Sequence, residues 1–504
     1  MNEKDRTLKK NLWMYPLGTI GRDMIYALFN SFILTYILLT RQLDNAQLAA
    51  VTAIMIGARI FDAVNDPIMG FIIEKTRTRW GKFKPWLLAG ILSTAGVIIT
   101  IFNTTLQGWG FIALFGVIYF LYSITYTMSD ISYWGMIPSL SSSPDTRNQF
   151  TSRAVLFAGI GGTLAGMLIP MFTVGKSSLT GSTQSSYGII SIIIAALAIL
   201  FICFTLFGVK ESKEAMEVKK DVKKTSTKDI LRTIVKNKPL LWIIIAFIFQ
   251  QIGNSLAAGG IASTYIYFQY GYEGGYYSLF STIGVAATAI LMIFYPMISR
   301  KINRKPLMTI MLFVALFGYL LMGLTAFSFL NSNMVGFWIL TIGYMLSNFG
   351  QYGFYLVMMI SIMNTVEYNE YISGEREEAI ITSVRPFVTK MTSAIVVGLT
   401  SLTYVIFHVV ENTNRISELE QQATTGVIDE ATKLTGINAV ISSIDNGQKL
   451  GLLFAMILLP LICMLISYFV YQKKYPLDEK EYDRICSEIE KRKEGQDTPE
   501  QVSE

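Results

Sequence analysis

The sequence predicts an all-α polytopic membrane protein with twelve transmembrane helices in two six-helix bundles. Three observations predict it. Apolar segments of the roughly 20 residues needed to cross a bilayer core recur from end to end. Aliphatic, aromatic, Met and Cys residues make up 52% of the chain and charged residues only 15%, where ordinary soluble domains carry about 25% charged residues. One long Lys-rich stretch, residues 210–238, has six apolar segments on each side of it.

In chain order the spans are expected at about 12–39, 45–73, 83–104, 108–138, 151–174, 186–210, 239–270, 274–299, 305–328, 334–366, 379–410 and 449–472. The basic N-terminus runs into the first span with no small-residue cleavage site, so it reads as part of a polytopic chain and not as a removed signal peptide. Lys and Arg gather in alternate connections. Lys4, Arg6, Lys9 and Lys10 precede the first span, and Lys75, Arg77, Arg79, Lys82 and Lys84 follow the second. Arg300, Lys301, Arg304 and Lys305 follow the eighth, whereas residues 103–108 have no Lys or Arg and residues 173–187 have only Lys176. By the positive-inside rule both termini and the middle loop face the cytoplasm.

The expected organisation is an N-terminal bundle at 1–210, a middle loop at 211–238, a C-terminal bundle at 239–472 and a charged tail at 473–504. The segment PIMGFIIEKTRTRWGKFKP at 67–85 returns in weakened form as PMISRKINRKP at 296–306, after the second span of each half. Two parallel repeats would leave such an echo. It keeps the proline and the basic turn but loses an acidic pair, so the halves have different jobs. Residues 411–449 form a long polar connection in which ISELEQQATTGVIDEATKL suits a short surface helix. The tail suits an amphipathic helix at the inner surface with disordered last residues.

Composition also excludes. The formal charge of +6 sits in short loops and is no signal for nucleic acid. Cys203, Cys463 and Cys486 are far apart and there is one His, so neither a disulfide framework nor a zinc site is expected. No phosphate-loop motif or Ser-His-Asp set is present, so the chain is read as a non-enzyme without a cofactor. The Gly-rich patch 159–166 reads as close helix packing.

The informative residues are charges inside apolar spans. The first span carries Arg22 and Asp23, the second Arg59, Asp62 and Asp66, the fourth Asp130, and the eleventh Arg385 and Lys390. Asp62 and Asp66 are four residues apart, on one face of one helix. A carboxylate at the bilayer centre costs roughly 2.5–3.5 kcal/mol on insertion scales, so a pair needs a reason. The reading is that they hold a cation with Asn65, Thr127 and Asp130, since carboxylate and hydroxyl oxygens suit a hard ion. Structural salt bridging to Arg59 or Lys390 is the alternative. Thr127, Asp130 and Trp134 share a face, which puts a hydroxyl, a carboxylate and an indole together. A neutral sugar would bind beside them, with Asp23 accepting hydroxyl hydrogen bonds and Trp134 stacking on a ring face. Lys390 and Arg59 are read as counter-ions, and Arg59 also as a gate or structural partner. Arg22 points about 100° from Asp23 on the helix, so the two are not expected to pair.

Three stretches, ARIFDAVNDPIMGFIIEKTRTRWGKFKPW, TYTMSDISYWGMIP and SVRPFVTK, resemble the glycoside–pentoside–hexuronide:cation symporter family, and the likeness runs from Gly21 to about residue 475. The resemblance implies a major facilitator fold and sugar uptake coupled to Na⁺, H⁺ or Li⁺. It implies that Asp62, Asn65, Asp66, Thr127 and Asp130 bind the cation, and that Asp23, Tyr126, Asp130 and Trp134 bind sugar, with Arg385 added here. It implies that Lys390 lies near the cation site and that Arg77, Arg79, Lys82 and Arg147 belong to a cytoplasmic gate. The chain departs from the family at Val155, where an arginine is expected and Arg153 stands two residues away, and at Pro386, where a threonine is expected.

The function so implied is cation-coupled import of a glycoside, pentoside or hexuronide by alternating access in the cell membrane. The partners are a small sugar and the bilayer, without nucleic acid, and a monomer suffices. The alternatives are a lysolipid carrier of the same fold and a membrane sensor or scaffold without flux.

Overall fold

The computed structural model describes residues 3–141, 143–210, 234–257, 259–331, 333–374 and 377–496. Most of the middle loop and the last eight residues, for which a linker and disorder were expected, lie outside these. Among the described residues the structure is helical, without strands. Before the middle loop come α1 (Glu3–Thr40), α2 (Asn45–Lys75), α3 (Lys84–Asn103), α4 (Gly108–Leu140), α5 (Pro144–Thr173) and α6 (Thr183–Gly208). After it come α7 (Lys238–Ala257), α8 (Gly260–Tyr270), α9 (Gly274–Ser299), α10 (Arg304–Leu324), α11 (Ser328–Asn331), α12 (Met334–Ser373) and α13 (Glu378–Ile406). The chain continues through α14 (Val409–Thr424), α15 (Glu430–Ser443), α16 (Asn446–Lys474) and α17 (Glu479–Gln496).

Among the described residues ten helices are long and apolar enough to cross a bilayer, or eleven if bent α2 is one span. The remaining expected span forms helix α12, where buried Asn348 and Gln351 interrupt the apolar run. Large apolar side chains such as Ile293 and Phe207, each 72% exposed, cover the outside of the helices. Water would not tolerate so much exposed apolar surface, and lipid does. The echo is visible as local structure: α3 and α10 both begin with a basic residue and a proline in the first turn, after a short basic connection. Proline suits the first turn because its missing N–H would have no helical partner there.

The chain divides into two compact units. The first comprises Met1–Val222, Ala258–Thr282 and Val397–Leu453. In it α1 packs on α5 and α6, and α4 on α2 and α3. Glycines set these distances: a Cβ on Gly21 would lie 2.4 Å from the Ala198 backbone, and one on Gly161 would lie 2.3 Å from the Ile20 carbonyl. Of the Gly-rich patch, Gly161 makes the close approach, while Gly159, Gly162 and Gly166 face open space. At the end away from the N-terminus, buried Arg41 ties three helices. It donates to Gln184 Oε1 at 3.0 Å, the Thr104 carbonyl at 2.7 Å and Tyr36 Oη at 3.1 Å.

The connection 411–449 does more than the single surface helix expected of it. It forms most of α14 and all of α15, and α14 packs on α1, α6 and α15. Sequence periodicity missed the extent because buried Glu420 and Lys433 sit on its inward face.

The second unit comprises Lys223–Ala257, Ile283–Val396 and Phe454–Glu504. Here α12 packs on α7, α10 and the tail helix α17. Glu479 opens α17 and accepts from the Arg304 backbone N–H at 2.7 Å and its guanidinium at 2.9 Å. Burial raises the Glu479 pKa, but these hydrogen bonds outweigh it and hold the carboxyl below its ordinary range.

Candidate functional site

The site is built on α1, α2 and α4 of the first unit. Helix α2 starts cleanly. Asp44 accepts from Gln47 N–H at 2.7 Å, and the Gln47 side chain accepts from Asp44 N–H at 3.1 Å, a reciprocal cap. Further along, Asn45–Asp62 and Val64–Lys75 are bent by 42°. Pro67 is the cause. A proline inside a helix has no N–H to donate to the preceding turn, and its ring crowds that turn. The bend therefore falls between the two expected cation ligands.

Those ligands meet a matching pair on α4. Ser123 donates a short hydrogen bond to Asp62, and Thr127 donates to Asp66 at 3.1 Å. Both pairs are separated by 61 residues, so a carboxylate ladder with a four-residue step faces a hydroxyl ladder with the same step. Asn65 donates to the Ser123 carbonyl at 3.5 Å. Asp62 and Asn65 are buried, and Asp66 is half-buried. Thr127 was legible in the sequence, whereas Ser123 was not singled out, although it stands one turn before Thr127.

Arg59 lies beside this ladder. It donates a short hydrogen bond to Asn30 Oδ1, and its other terminal nitrogen is 3.9 Å from Asp62. Asn30 in turn donates to Tyr122 Oη at 3.0 Å. Arg59 thus contacts the α1 side of the site as well as the carboxylate.

The expectation that Arg22 and Asp23 do not pair is wrong. Arg22 reaches Asp23 at 3.1 Å and Asp130 at 3.0 Å, and it is 2% exposed. The Cα–Cβ directions diverge as the helix dictates, but a guanidinium on three methylenes swings back across that angle. Its carbon lies 4.7 Å from the Tyr133 ring centre and 5.2 Å from that of Trp134. The structure therefore joins Asp23, Asp130 and Trp134, three of the expected sugar-binding residues, through an arginine that was not among them. A charge with no neighbour on its own helix face was the missed signal, since buried charges are paired.

Tyr126 stacks on Tyr122 with ring centres 5.5 Å apart and tilts against Tyr26 at 5.5 Å. Tyr126 and Trp134 are both half-buried, and Tyr26 is exposed. They form a partly open aromatic wall beside a polar cluster, the lining that a sugar's ring faces and hydroxyls match. Of the carboxylates on these helices, Asp23 and Asp130 lie against Arg22, and Asp62 lies near Arg59.

Arg385 and Lys390 belong to α13 in the second unit. Arg385 is exposed and lies 5.8 Å from the Tyr355 ring centre, and Lys390 is half-buried. At the far end of α2, Arg77 donates to the Glu74 and Thr76 carbonyls at 2.6 and 2.9 Å, closing the helix end. Arg79 is exposed, and Lys82 sits 4.7 Å from the Phe83 ring centre. Arg147 donates to the Ser141 carbonyl at 2.7 Å across the α4–α5 turn. At the position where family members carry an arginine, Val155 is exposed. The nearby Arg153 donates to the Leu12 carbonyl at 3.1 Å.

Comparison with known proteins gives a consistent picture. The family model described as MFS/sugar transport protein matches residues 14–479. The lactose permease of Leuconostoc lactis is 27% identical over 495 residues, covering 95% of this chain and 71% of that protein. The raffinose carrier protein of Pediococcus pentosaceus is 26% identical over 511 residues, covering 97% and 73%. Among solved structures, a bacterial homologue of the human lysosomal transporter Spinster superposes with a TM-score of 0.62 at 11% identity, covering 94% of this chain and 97% of that one. At that identity the likeness concerns the fold alone.

Proposed function

The chain belongs to the MFS/sugar transport family, and within it to the glycoside–pentoside–hexuronide:cation symporters, and from that premise we propose that it imports a glycoside with Na⁺ through the site on α1, α2 and α4. Family membership makes it a multi-pass membrane carrier and not an enzyme. The relatives named for lactose and raffinose support an oligosaccharide as the cargo. Both termini are assigned to the cytoplasm by the basic connections.

The observation that carries the reading is the double ladder of Asp62 and Asp66 against Ser123 and Thr127. Two carboxylates one turn apart, each facing a hydroxyl on the neighbouring helix, favour a bound cation in a low-dielectric surround. Na⁺ takes oxygens from Asp62, Asn65, Asp66 and Thr127. Binding the ion ties α2 to α4. Asp130 and Trp134 continue the Thr127 face of α4, so the same helix presents the sugar with a carboxylate and an indole. Asp23 and Tyr126 complete that subsite. Ordering one site prepares the other, and the coupling is reciprocal. Arg385 is assigned to the sugar and Lys390 to charge balance at the cation site. Arg77, Arg79, Lys82 and Arg147 are assigned to the cytoplasmic gate.

The test is uptake into proteoliposomes, with and without a Na⁺ gradient, for a panel of galactosides, pentosides and hexuronides. Asp66→Asn should abolish Na⁺ stimulation of the transported sugar while the protein still inserts and unfolds cooperatively. Undiminished Na⁺ stimulation in that variant would remove the cation-site assignment. Stimulation by a pH gradient alone would replace Na⁺ by H⁺.

A further inference from the structure

The connection between α13 and α16 is polar in sequence, yet it buries a pair of charges far from the site above. Lys433 and Glu420 side chains are 0% and 1% exposed and meet at 3.3 Å. Glu420 also accepts the Thr183 N–H at 2.8 Å and the hydroxyls of Thr183 and Tyr272 at 3.0 Å each. Lys433 donates to the Gly181 carbonyl at 2.6 Å. Asn414 grips the Leu43 backbone both ways, accepting its N–H at 2.8 Å and donating to its carbonyl at 2.7 Å. The Ser182 and Thr424 hydroxyls lie 2.5 Å apart.

A buried ion pair is not a stabilising device in itself, because apolar residues of equal volume often do better. It does impose one arrangement and penalise a half-made one. Both charges here lie on the chain after the middle loop. Their partners Gly181 and Thr183 lie before it, as does Leu43, the partner of Asn414. The polar contacts that cross between these two parts of the chain are hydrogen bonds to backbone groups and hydroxyls, which water replaces at a small net cost. The two charges sit on the same strap and leave together as a neutral pair.

We propose that α14 and α15 form a latch. The strap closes the end of the carrier away from the termini, with the Glu420–Lys433 pair at its centre, and it lifts from Leu43 and Gly181–Thr183 each time that end opens. The proposal rests on the alternating-access reading given above. A static scaffold would make the same contacts but would never release them.

The experiment bridges the strap. Ser182→Cys and Thr424→Cys are introduced into a chain whose Cys203, Cys463 and Cys486 are replaced, together with Thr35→Cys on α1. Thr35 is buried and lines a small cavity with Thr413 and Ile416 of α14. Labelling at position 35 by a hydrophilic maleimide is followed by mass spectrometry in detergent, and sugar uptake is followed in proteoliposomes. Closing the bridge should slow labelling at position 35 at least tenfold and stop uptake, and reduction should restore both. In the unbridged chain, Glu420→Gln should speed labelling at least tenfold by leaving Lys433 uncompensated. Equal labelling with the bridge open and closed would overturn the latch, as would failure of the bridge to form. Labelling that follows the bridge in a protein that takes up no sugar would leave the latch standing and overturn the sugar reading instead.

Discussion

Thr127 donates to Asp66 at 3.1 Å, and one turn earlier on both helices Ser123 donates to Asp62. Two adjacent carboxylates are thus held by the same neighbouring helix in the same register. A hydrogen bond to a charged group is worth about 1.5–3 kcal/mol. Thr127→Val should therefore weaken the apparent Na⁺ affinity roughly tenfold or more. Ser123→Ala should do the same, with little change in maximal uptake at saturating Na⁺. Na⁺ titration of uptake checks both.

Arg22 bridges Asp23 and Asp130, so removing it leaves two half-buried carboxylates without their guanidinium. Breaking a fully buried pair by losing one partner costs about 3–5 kcal/mol, and the partial exposure of both acids brings this toward the roughly 1 kcal/mol of a solvated pair. Arg22→Met should lower thermal stability by an amount of that order and reduce sugar affinity more than tenfold. Arg22→Lys keeps the charge but lacks the fork that reaches both acids, so it should restore stability better than sugar affinity. Thermal unfolding and calorimetric sugar binding separate the two effects.

Pro67 bends α2 between its two acids. Pro67→Ala returns a backbone donor to the preceding turn and straightens the helix. The expected outcome is a protein at least as stable as the parent but with Na⁺ affinity lowered about tenfold, because the carboxylate ladder no longer matches the hydroxyl ladder. A Na⁺-dependent thermal shift reads this directly.

The tail helix is docked by the Arg304–Glu479 pair. Glu479 has a depressed pKa, so its contribution is complete above the ordinary glutamate range. It is lost as pH falls through the depressed value. Glu479→Gln should release α17 to trypsin several-fold faster at neutral pH, and the parent should approach that rate only in acid. Limited proteolysis followed by mass analysis measures both.

Much of this was legible in the sequence. Hydropathy and basic loops located the spans, because the bilayer imposes length and asymmetry on every one of them. The acid pair on α2 was legible because its spacing is the helix's own. What was not legible depended on reach or on tertiary company. Arg22 needed the arc of a long side chain to be seen beside Asp23. Ser123 needed the register of α2 against α4. Glu420 and Lys433 looked like ordinary surface charges because their partners lie hundreds of residues away. The bend in α2 was implied by Pro67, but its meaning depended on the acids either side of it.

Helix α1 is seated backbone to backbone through Gly21 and Gly161, which leaves it no room to slide or turn against α5 and α6. The scaffold around Asp23 is then a fixed frame, and relatives cannot retune it by shifting the helix. A new sugar preference has to be reached by exchanging side chains within that frame, at positions such as 23 and 26. Such changes can accumulate one at a time without disturbing the ion ladder on the neighbouring helices. Because α1 carries none of the ladder residues, cargo preference can change there while the driving ion stays the same.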